Sequence, residues 1–309
     1  MKRLLATDIK ELAGHDALVY SLAFSPDGKM LATAGFDNTI KLWDFAAGKE
    51  IRTLKGHTGP VYGVVFSKDG KTLASSSLDK TVRIWDPADG KFLRELKGHG
   101  DIVDSIAFNN DSKLLASGSA DKSVRLWDPA AGKEVKNLGT HGNAVYSVAF
   151  GPDGKTLASG GADGVIKLWD VSARKELKAL KPPTNEKGAP GPPPGGVTGV
   201  VFTPDGQRLV SIQDRFVRVW DVQAGKQVKE MGPTPDDLYG LAISRDGKSL
   251  VTSGYAGYIT LWDLAAGKQT TSHKLKAFGA YCVVFTPDGK SVVTGHDNHH
   301  CYVSPLSAP

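Results

Sequence analysis

Apolar and polar residues alternate along this chain in short runs that are separated by turn-forming residues. In residues 56–96 the runs VYGVVF, TLASSS, VRIWD and KFLREL are divided by SKDGK, LDKT and PADGK. An alternation of period two is typical of strands with one buried face, and Gly, Asp and Pro between such runs favour tight turns. This stretch therefore predicts four short antiparallel strands.

The same block recurs along the chain. Six motifs of the KLWD type are spaced by 42, 42, 42, 51 and 42 residues, and their tryptophans are Trp43, Trp85, Trp127, Trp169, Trp220 and Trp262. A turn of the PDGK type occurs once in every block, seven times in all, from SPDGK at 25–29 to TPDGK at 286–290. A histidine after a small residue opens four of the blocks, at His15, His57, His99 and His141. The chain therefore contains seven repeats of about 42 residues.

The Gly-His, Asp and Trp-Asp markers together resemble the WD40 repeat family, in its regular bacterial type, over roughly residues 7–304. The resemblance implies an all-β fold, a seven-bladed WD40 β-propeller with four antiparallel strands per blade. We expect residues 1–309 to form a single such domain. A Pro/Gly-rich insertion at about 181–196 adds nine residues between blades 4 and 5.

The two ends of the chain predict how the ring closes. TDIKELAGH at 7–15 aligns with KEIRTLKGH at 49–57, so the N-terminus supplies a fourth strand without the first three. The C-terminus supplies three strands, at about 280–304, without a fourth. We therefore expect the N-terminal strand, around Ile9–Leu12, to complete the last blade.

The resemblance implies a buried hydrogen-bond network of His, Ser or Thr, Asp and Trp in each of the first four blades. A Ser-His-Asp set normally suggests a hydrolase. Here it recurs four times with a tryptophan partner, which favours a structural role that satisfies buried polar groups. The matching residues are His15, Thr33, Asp37 and Trp43; His57, Ser75, Asp79 and Trp85; His99, Ser117, Asp121 and Trp127; and His141, Ser159, Asp163 and Trp169.

Blades 5 to 7 depart from this pattern. By alignment, Pro193, Thr234 and Lys276 stand where the histidine is expected. Blade 6 has Ala256 in place of the aspartate, and blade 7 has Val303 in place of the tryptophan. Blades 5 and 7 also lack one residue before the aspartate in this alignment.

Residues 295–303, GHDNHHCYV, are rich in residue types that bind zinc or copper. Aligned from the aspartate, they are the seventh copy of GFDNTIKLW at 35–43, with His296 at the turn and His299 to Cys301 on a strand. Alternate residues of a strand face opposite ways, so His299 and His300 diverge. We therefore expect a diverged last blade with no metal and no cofactor, and a metal site is the alternative.

The two cysteines, Cys282 and Cys301, fall on the first and third strands of the last blade. Strands two apart in a sheet are separated by roughly 9–10 Å, which is beyond the reach of a disulfide. We expect both thiols to be free.

In the WD40 family, partners often bind the face where the first strand of each blade begins and where the turns between the second and third strands emerge. We call this the tyrosine-rich face, because five of the eight tyrosines share one register there. The candidate partner-binding residues are Tyr20, Phe36, Tyr62, Leu78, Asp104, Tyr146, Asp237, Tyr239, Tyr255, Tyr281 and His296.

These registers contain aromatic and acidic residues but no lysine or arginine. Tyrosine suits protein interfaces because it combines a large apolar area with a polar tip. The lack of basic residues argues against specific nucleic-acid binding at this face. We therefore expect a protein or peptide partner that is apolar or cationic. The alternative is that the tyrosines only pack between blades.

Composition adds little to this picture. The chain has 309 residues, 40% hydrophobic and 23% charged, with a net charge of +5. Lysines of the turns, such as Lys29 and Lys49, are expected on the opposite face, where an anionic partner is the alternative to plain solvation. No apolar run is long enough for a membrane span or a secretory signal. We expect a monomer in the cytoplasm, or an extracytoplasmic protein if a signal peptide has been removed.

The function that these observations favour is that of a noncatalytic scaffold for protein–protein or peptide interactions, not an enzyme. One alternative is an architectural WD40 module of a larger multidomain protein, since regular bacterial propellers are often appended to kinase or cytochrome modules. The other is an enzyme with its active site at the mouth of the central channel. That enzyme needs acid–base residues to converge there, and the registers offer only Asp104, Asp237 and His296 from different blades.

Overall fold

The computed structural model describes residue 4 and residues 9–181, 195–275 and 279–307. Within these residues the chain forms 28 strands and no helix, and the strands make seven antiparallel sheets of four strands each. The Pro/Gly-rich insertion predicted at about 181–196 lies almost wholly outside the described residues.

The strands are numbered β1 to β28 in chain order. They are Lys10–Ala13, Val19–Phe24, Met30–Gly35, Thr39–Asp44, Lys49–Lys55, Val61–Phe66, Leu73–Ser77, Val82–Trp85, Phe92–Leu96, Val103–Phe108, Leu115–Ser119, Ser123–Asp128, Lys133–Thr140, Val145–Phe150, Thr156–Gly161, Ile166–Asp170, Lys175–Leu180, Val197–Phe202, Arg208–Gln213, Phe216–Asp221, Lys226–Met231, Leu238–Ile243, Ser249–Gly254, Tyr258–Asp263, Lys268–Lys274, Ala280–Phe285, Ser291–His296 and His300–Pro305.

Each blade is a meander of four strands, from β2–β5 in blade 1 to β22–β25 in blade 6. The first strand of every blade contacts the first strands of both neighbours, and β26 contacts β2, so the sheets close into a ring. The seventh sheet has the order β1-β28-β27-β26. Leu12 of β1 pairs with Cys301 of β28, so the N-terminal strand completes the last blade. The predicted seven-bladed propeller and its closure are confirmed.

The hydrophobic core lies between blades rather than within them. In one cluster, Ile40 and Leu54 of blade 1 pack against Val61 and Trp85 of blade 2, and all four side chains are almost fully buried. Six further clusters repeat this arrangement around the ring. Because each interface needs both of its blades, burial of apolar surface stabilises the ring as a whole.

The register of the last blade differs from the predicted one by one residue. His296 ends β27 and pairs with Ala280, and the turn that follows contains Asp297, Asn298 and His299. Val292 pairs with Ser304, whereas Leu31 at the same place in blade 1 pairs with Trp43. The tryptophan position of blade 7 is therefore Ser304, not Val303. By the same count, the aspartate position is Asn298.

The cause of this error is the missing tryptophan. Without it the alignment depended on Asp297 alone, and a shift of one residue moves every side chain of a strand to the opposite face. The turn of blade 7 has the normal length, so the residue predicted to be missing is present. In blade 5 the shortened turn is real, because Gln213 pairs with Phe216 and only Asp214 and Arg215 lie between them.

Both cysteines are free, as the strand separation predicted. Cys282 pairs with Gly295 of the middle strand, and Gly295 pairs with Cys301.

Candidate functional site

The tyrosine-rich face is held in place by a hydrogen-bond network inside each of the first four blades. In blade 2, His57 Nδ1 lies 2.7 Å from Asp79 Oδ2, and His57 Nε2 lies 2.7 Å from Ser75 Oγ. The indole N–H of Trp85 donates to the same serine oxygen at 2.8 Å. The same connectivity joins His15, Thr33, Asp37 and Trp43; His99, Ser117, Asp121 and Trp127; and His141, Ser159, Asp163 and Trp169.

The indole N–H of Trp127 donates to Ser117 Oγ, and the ionised carboxylate of Asp121 accepts from the Nδ1–H of His99. Burial lowers the pKa of His99, which favours the neutral imidazole. Nε2 of His99 then accepts from the O–H of Ser117. Ser117 is 0% exposed. No substrate can reach its oxygen, so the Ser-His-Asp connectivity in these blades is structural.

The aspartates of the networks also fix the backbone at the tyrosine-rich face. The carboxylate of Asp37 accepts hydrogen bonds from the N–H of Asp16, in the loop before β2, and from the N–H of Thr39, after the turn between β3 and β4. Burial alone would raise the pKa of Asp37, but hydrogen bonds from His15, from the N–H of Asp16 and from the hydroxyl of Thr39 hold it well below its usual range. The network therefore joins the two loops that form this face in each blade.

In blades 5 and 7 a different residue fills the place of the missing histidine. A Cβ atom at Gly35 of blade 1 would lie 2.4 Å from Nδ1 of His15. The matching residue in blade 7 is His296, whose Nε2 lies 2.8 Å from Thr294 Oγ1, the hydroxyl that corresponds to that of Thr33. In blade 5 it is Gln213, which is 1% exposed, and its Oε1 accepts from Arg218 at 2.7 Å. The predicted histidine positions of these two blades, Pro193 and Lys276, lie outside the described residues.

In blade 6 the carboxylate comes from the loop before the first strand instead of from the turn between the second and third strands. Asp236, in the loop before β22, accepts a hydrogen bond from the N–H of Ala256 in the turn that lacks the usual aspartate. Thr234, at the histidine position, donates its hydroxyl to the carbonyl of Arg215 at 3.0 Å. Gln213 and Asp236 were not among the network residues predicted from the sequence. The signal for Gln213 was present, since a large polar residue replaces the small one that precedes the turn in blades 1 to 4.

Six aromatic side chains lie together on the tyrosine-rich face. The ring of Tyr20 lies 5.0 Å from that of Tyr62 and 6.1 Å from that of Tyr281, between ring centroids. Tyr281 in turn lies 5.4 Å from Tyr239. Phe36 packs beside Tyr20, and Tyr255 packs beside Tyr239 and Tyr281. We call this continuous band across blades 2, 1, 7 and 6 the aromatic arc; its members are Tyr62, Phe36, Tyr20, Tyr281, Tyr239 and Tyr255.

Three predicted apolar residues of this face are open to solvent. Tyr255 is 61% exposed, Tyr146 is 40% exposed and Leu78 is 39% exposed. Tyr146 stands apart from the aromatic arc and lies against Gly196, where an added Cβ would be 3.0 Å from its ring. Packing between blades therefore accounts for part of the tyrosine register, at Tyr20, but not for the exposure of Tyr146 in the same register or of Tyr255 in a turn.

The acidic residues of the face differ from one another in environment. Asp104, on β10, is half-buried, and burial together with the charge of Asp101 raises its pKa to about 7. Asp104 Oδ2 is buried and has no hydrogen-bond partner among the described residues. Asp237 is exposed next to Tyr239.

His296, which was predicted at the mouth, is fully buried below the face, because the register of the last blade is shifted by one residue. Asp297 occupies the turn position in its place, and its Oδ2 accepts from the N–H of Gly279 at 3.2 Å. In the part of the chain that the structure describes, no lysine or arginine forms an ion pair with Asp104, Asp237 or Asp297. The mouth is therefore more acidic than the sequence indicated.

The histidine-rich segment does not converge on one point. His296 lies buried at the end of β27, His299 lies in the turn with a φ of 74°, and the ring of His300 pairs with Glu11 of β1. Among the described residues, no three His, Cys, Asp or Glu side chains form a group that could hold a metal ion.

Some of the basic side chains form hydrogen bonds between neighbouring blades. Arg52, Arg94 and Lys229 lie on the outermost strands of their blades, and each donates to a backbone carbonyl in a turn of the next blade, at Ala88, Ala130 and Ala265. These residues stabilise the ring rather than form a free basic patch.

A family model described as WD40, "WD domain, G-beta repeat", matches seven segments of the chain. The matched residues are 6–44, 48–86, 90–128, 132–170, 190–221, 225–263 and 268–303. They coincide with the seven repeats inferred from the sequence.

Three individual proteins each match about one repeat of the chain. "Ribosome assembly protein 4" of Saccharomyces cerevisiae is 54% identical over 43 residues, which is 14% of this chain and 8% of that protein. "Small ribosomal subunit protein RACK1" of Glycine max is 50% identical over 40 residues, 13% of this chain and 12% of that protein. "Notchless protein homolog" of Arabidopsis thaliana is 48% identical over 40 residues, 13% of this chain and 8% of that protein. These relatives are eukaryotic, so they do not support the bacterial type that was predicted.

No helix among residues 9–181, 195–275 and 279–307 is long and apolar enough to cross a membrane.

Proposed function

This chain belongs to the WD40 repeat family, and we propose that it is a noncatalytic scaffold that binds a protein or peptide on its tyrosine-rich face. The partner segment lies across the mouth of the central channel and contacts the aromatic arc.

The observation that carries this proposal is the aromatic arc itself. Its rings are in contact with one another across four blades, and it ends at Tyr255, which is 61% exposed. Tyrosine rings give a large contact area and lose little side-chain entropy on binding, which is why they are enriched at protein interfaces. A contiguous exposed apolar surface with a polar rim is typical of a binding site.

The charge of the face supports a protein partner over nucleic acid. Three carboxylates, Asp104, Asp237 and Asp297, surround the aromatic rings, and none of them pairs with a described lysine or arginine. A phosphate backbone is bound by basic residues and would be repelled here.

The relatives agree with this class of function. The yeast protein is named for ribosome assembly and the soybean protein for the small ribosomal subunit, so both names refer to a large assembly. Because each match spans only about one repeat, we take from it no specific partner.

The test is an affinity capture from source-cell lysate with two matched triple variants. The face variant is Tyr62→Ala/Tyr146→Ala/Tyr255→Ala. The rim variant, Ile51→Ala/Leu177→Ala/Val228→Ala, removes three aliphatic side chains that are 49%, 47% and 51% exposed on the outer strands. We expect a partner that the wild type and the rim variant retain and that the face variant loses, with all three proteins giving the same circular dichroism. Equal retention by the face variant would contradict the proposal.

A further inference from the structure

Asp104 is an unusual residue for a stable domain. It lies on the innermost strand of blade 3, half-buried, with one carboxylate oxygen that is buried and without a hydrogen-bond partner among the described residues. A buried carboxylate oxygen without a partner lowers the stability of the free protein, because the charge loses hydration and the hydrogen bond from the N–H of Ala120 offsets only part of that loss. A cation that neutralises this carboxylate on binding would offset the rest.

The surroundings of Asp104 show what such a ligand would meet. Asp104 occupies the same register as Tyr62 in the adjacent innermost strand, β6, and as Tyr20 one blade further. The two blades are in close contact here, since a Cβ added at Gly63 would lie 3.8 Å from the backbone oxygen of Asp104. Burial and the charge of Asp104 both raise the pKa of Tyr20 and Tyr62, so the carboxylate acts on both phenol groups.

We propose that the site between Asp104, Tyr62 and Tyr20 receives a lysine or arginine side chain of the bound partner, while apolar neighbours of that side chain lie along the rest of the aromatic arc. This inference rests on the proposed function and names the chemistry of its partner. The cation pairs with the half-buried carboxylate of Asp104 at its solvent-facing side and contacts the faces or edges of the two tyrosine rings.

The position of the charge also sets a direction for the partner. Asp104 lies at one end of the aromatic band, beyond Tyr62, whereas Tyr255 lies at the other end, in blade 6. A segment that fits both features carries its basic residue at the blade 3 end and its apolar residues toward blade 6.

Binding should strengthen as the pH rises through neutrality. The groups that face Asp104 are Asp101 in the preceding loop, the backbone N–H of Ala120, and the phenols of Tyr20 and Tyr62. Burial keeps the two phenols protonated in this range. Asp104 itself, with its pKa raised to about 7 mainly by burial, gains its charge between pH 6 and pH 8.

The experiment uses random 12-residue peptides displayed on phage and selected on the full chain at pH 8. The best peptide is synthesised as found and with its basic residue replaced by a neutral analogue, citrulline for arginine or acetyl-lysine for lysine. Fluorescence polarisation then measures both peptides on the wild type, on Asp104→Asn, on Asp16→Asn and on the face variant. Asp16 is an exposed residue in the loop before β2, two blades from Asp104, and its substitution removes one negative charge from the same face without changing the proposed cation site.

We expect the selected peptides to share a basic residue. The neutral analogue should bind the wild type and Asp16→Asn about tenfold more weakly, but Asp104→Asn less than about twofold more weakly. The affinity of the wild type should fall between pH 8 and pH 6, and that of Asp104→Asn should not.

Three results would overturn the inference, and they are distinguishable. Peptides that lose affinity for the face variant but tolerate the neutral analogue would refute the cation site and leave the proposed function standing. Peptides that bind the face variant as tightly as the wild type would refute both. A selection that enriches nothing over the bare support would also count against both.

Discussion

At the scale of single residues, the molecule contains buried polar groups that are satisfied and others, Asp104 among them, that are not. Ser75 is fully buried, yet its oxygen accepts from Trp85 and its hydroxyl bonds His57, so its burial costs little. The buried oxygen of Asp104 has no such partner among the described residues. The networks of blades 1 to 4 are complete, whereas Asp236 Oδ1 and Asp297 Oδ1, like Asp104 Oδ2, have no hydrogen-bond partner among the described residues. Of these three, Asp104 lies where the basic side chain of the partner is proposed to bind.

Neutralising Asp104 should stabilise the free protein. The pKa of Asp104 is raised from 3.8 to about 7 by burial, so the folded state holds the proton more tightly than the unfolded state. Ionisation of Asp104 therefore opposes folding, hardly below pH 4, progressively more between pH 4 and 7, and fully above pH 7. We expect Asp104→Asn to raise the free energy of unfolding by about 1–2 kcal/mol at pH 8, and clearly less at pH 4.5.

Urea unfolding at the two pH values measures this difference, and Asp16→Asn is the control that should change little at either. An equal gain at both pH values, or a loss at pH 8, would contradict the claim that the ionised carboxylate of Asp104 destabilises the folded state.

The network residues of blades 1 to 4 could be predicted because four markers recur at constant spacing. Gln213, Asp236 and His296 could not be assigned in that way. Each takes over part of the network from a blade position other than that of the histidine or aspartate that it replaces. A repeat alignment compares only residues at the same position in each blade. Each side chain occupies the space that the missing histidine or aspartate leaves free in the folded blade. There it reaches a hydroxyl or a backbone N–H that needs a hydrogen-bond partner.

At the scale of elements, β1 has two roles in closing the ring. It pairs with β28, and Leu12, which is 2% exposed, packs with Val19 and Trp43 of blade 1. The strand therefore completes both the seventh sheet and the apolar interface between the last blade and the first.

A truncation of the Leu12 side chain should consequently destabilise the whole ring. We expect Leu12→Ala to lower the free energy of unfolding by about 2–4 kcal/mol, the usual cost of a cavity in a packed core. Ile51→Ala, at a residue that is 49% exposed on β5, should cost less than about 1 kcal/mol. Urea unfolding of the two variants checks this, and similar losses for both would mean that the interface between blades 7 and 1 contributes little.

The strands themselves were predictable because period-two alternation and turn residues recur in every blade. The register of β28 was not, because blade 7 has Ser304 where the others have tryptophan. The pairing of β27 with β28 places Asp297 in the turn and buries His296, and the sequence around them fits either register.

At the scale of the whole molecule, the chemistry of the tyrosine-rich face differs from that of the chain as a whole. The chain carries a net charge of +5, but the mouth combines tyrosines with carboxylates. The candidate residues on the first strands were predictable, because in every blade they lie at the same distance from the end of the first strand. Which tyrosines are exposed was not, because that depends on contacts between neighbouring blades, such as those of Tyr20 with Tyr62 and Tyr281.

The central claim, that the partner lies on the tyrosine-rich face, is tested most directly by photo-crosslinking. The photoreactive residue p-benzoylphenylalanine replaces Tyr255, which is 61% exposed at one end of the aromatic arc, or Phe92, which is 45% exposed on an outer strand. Each protein is irradiated with the partner recovered by affinity capture. A crosslinked product from position 255 and none from position 92 is the result that we predict. A product from position 92 alone, or equal products from both, would contradict the claim.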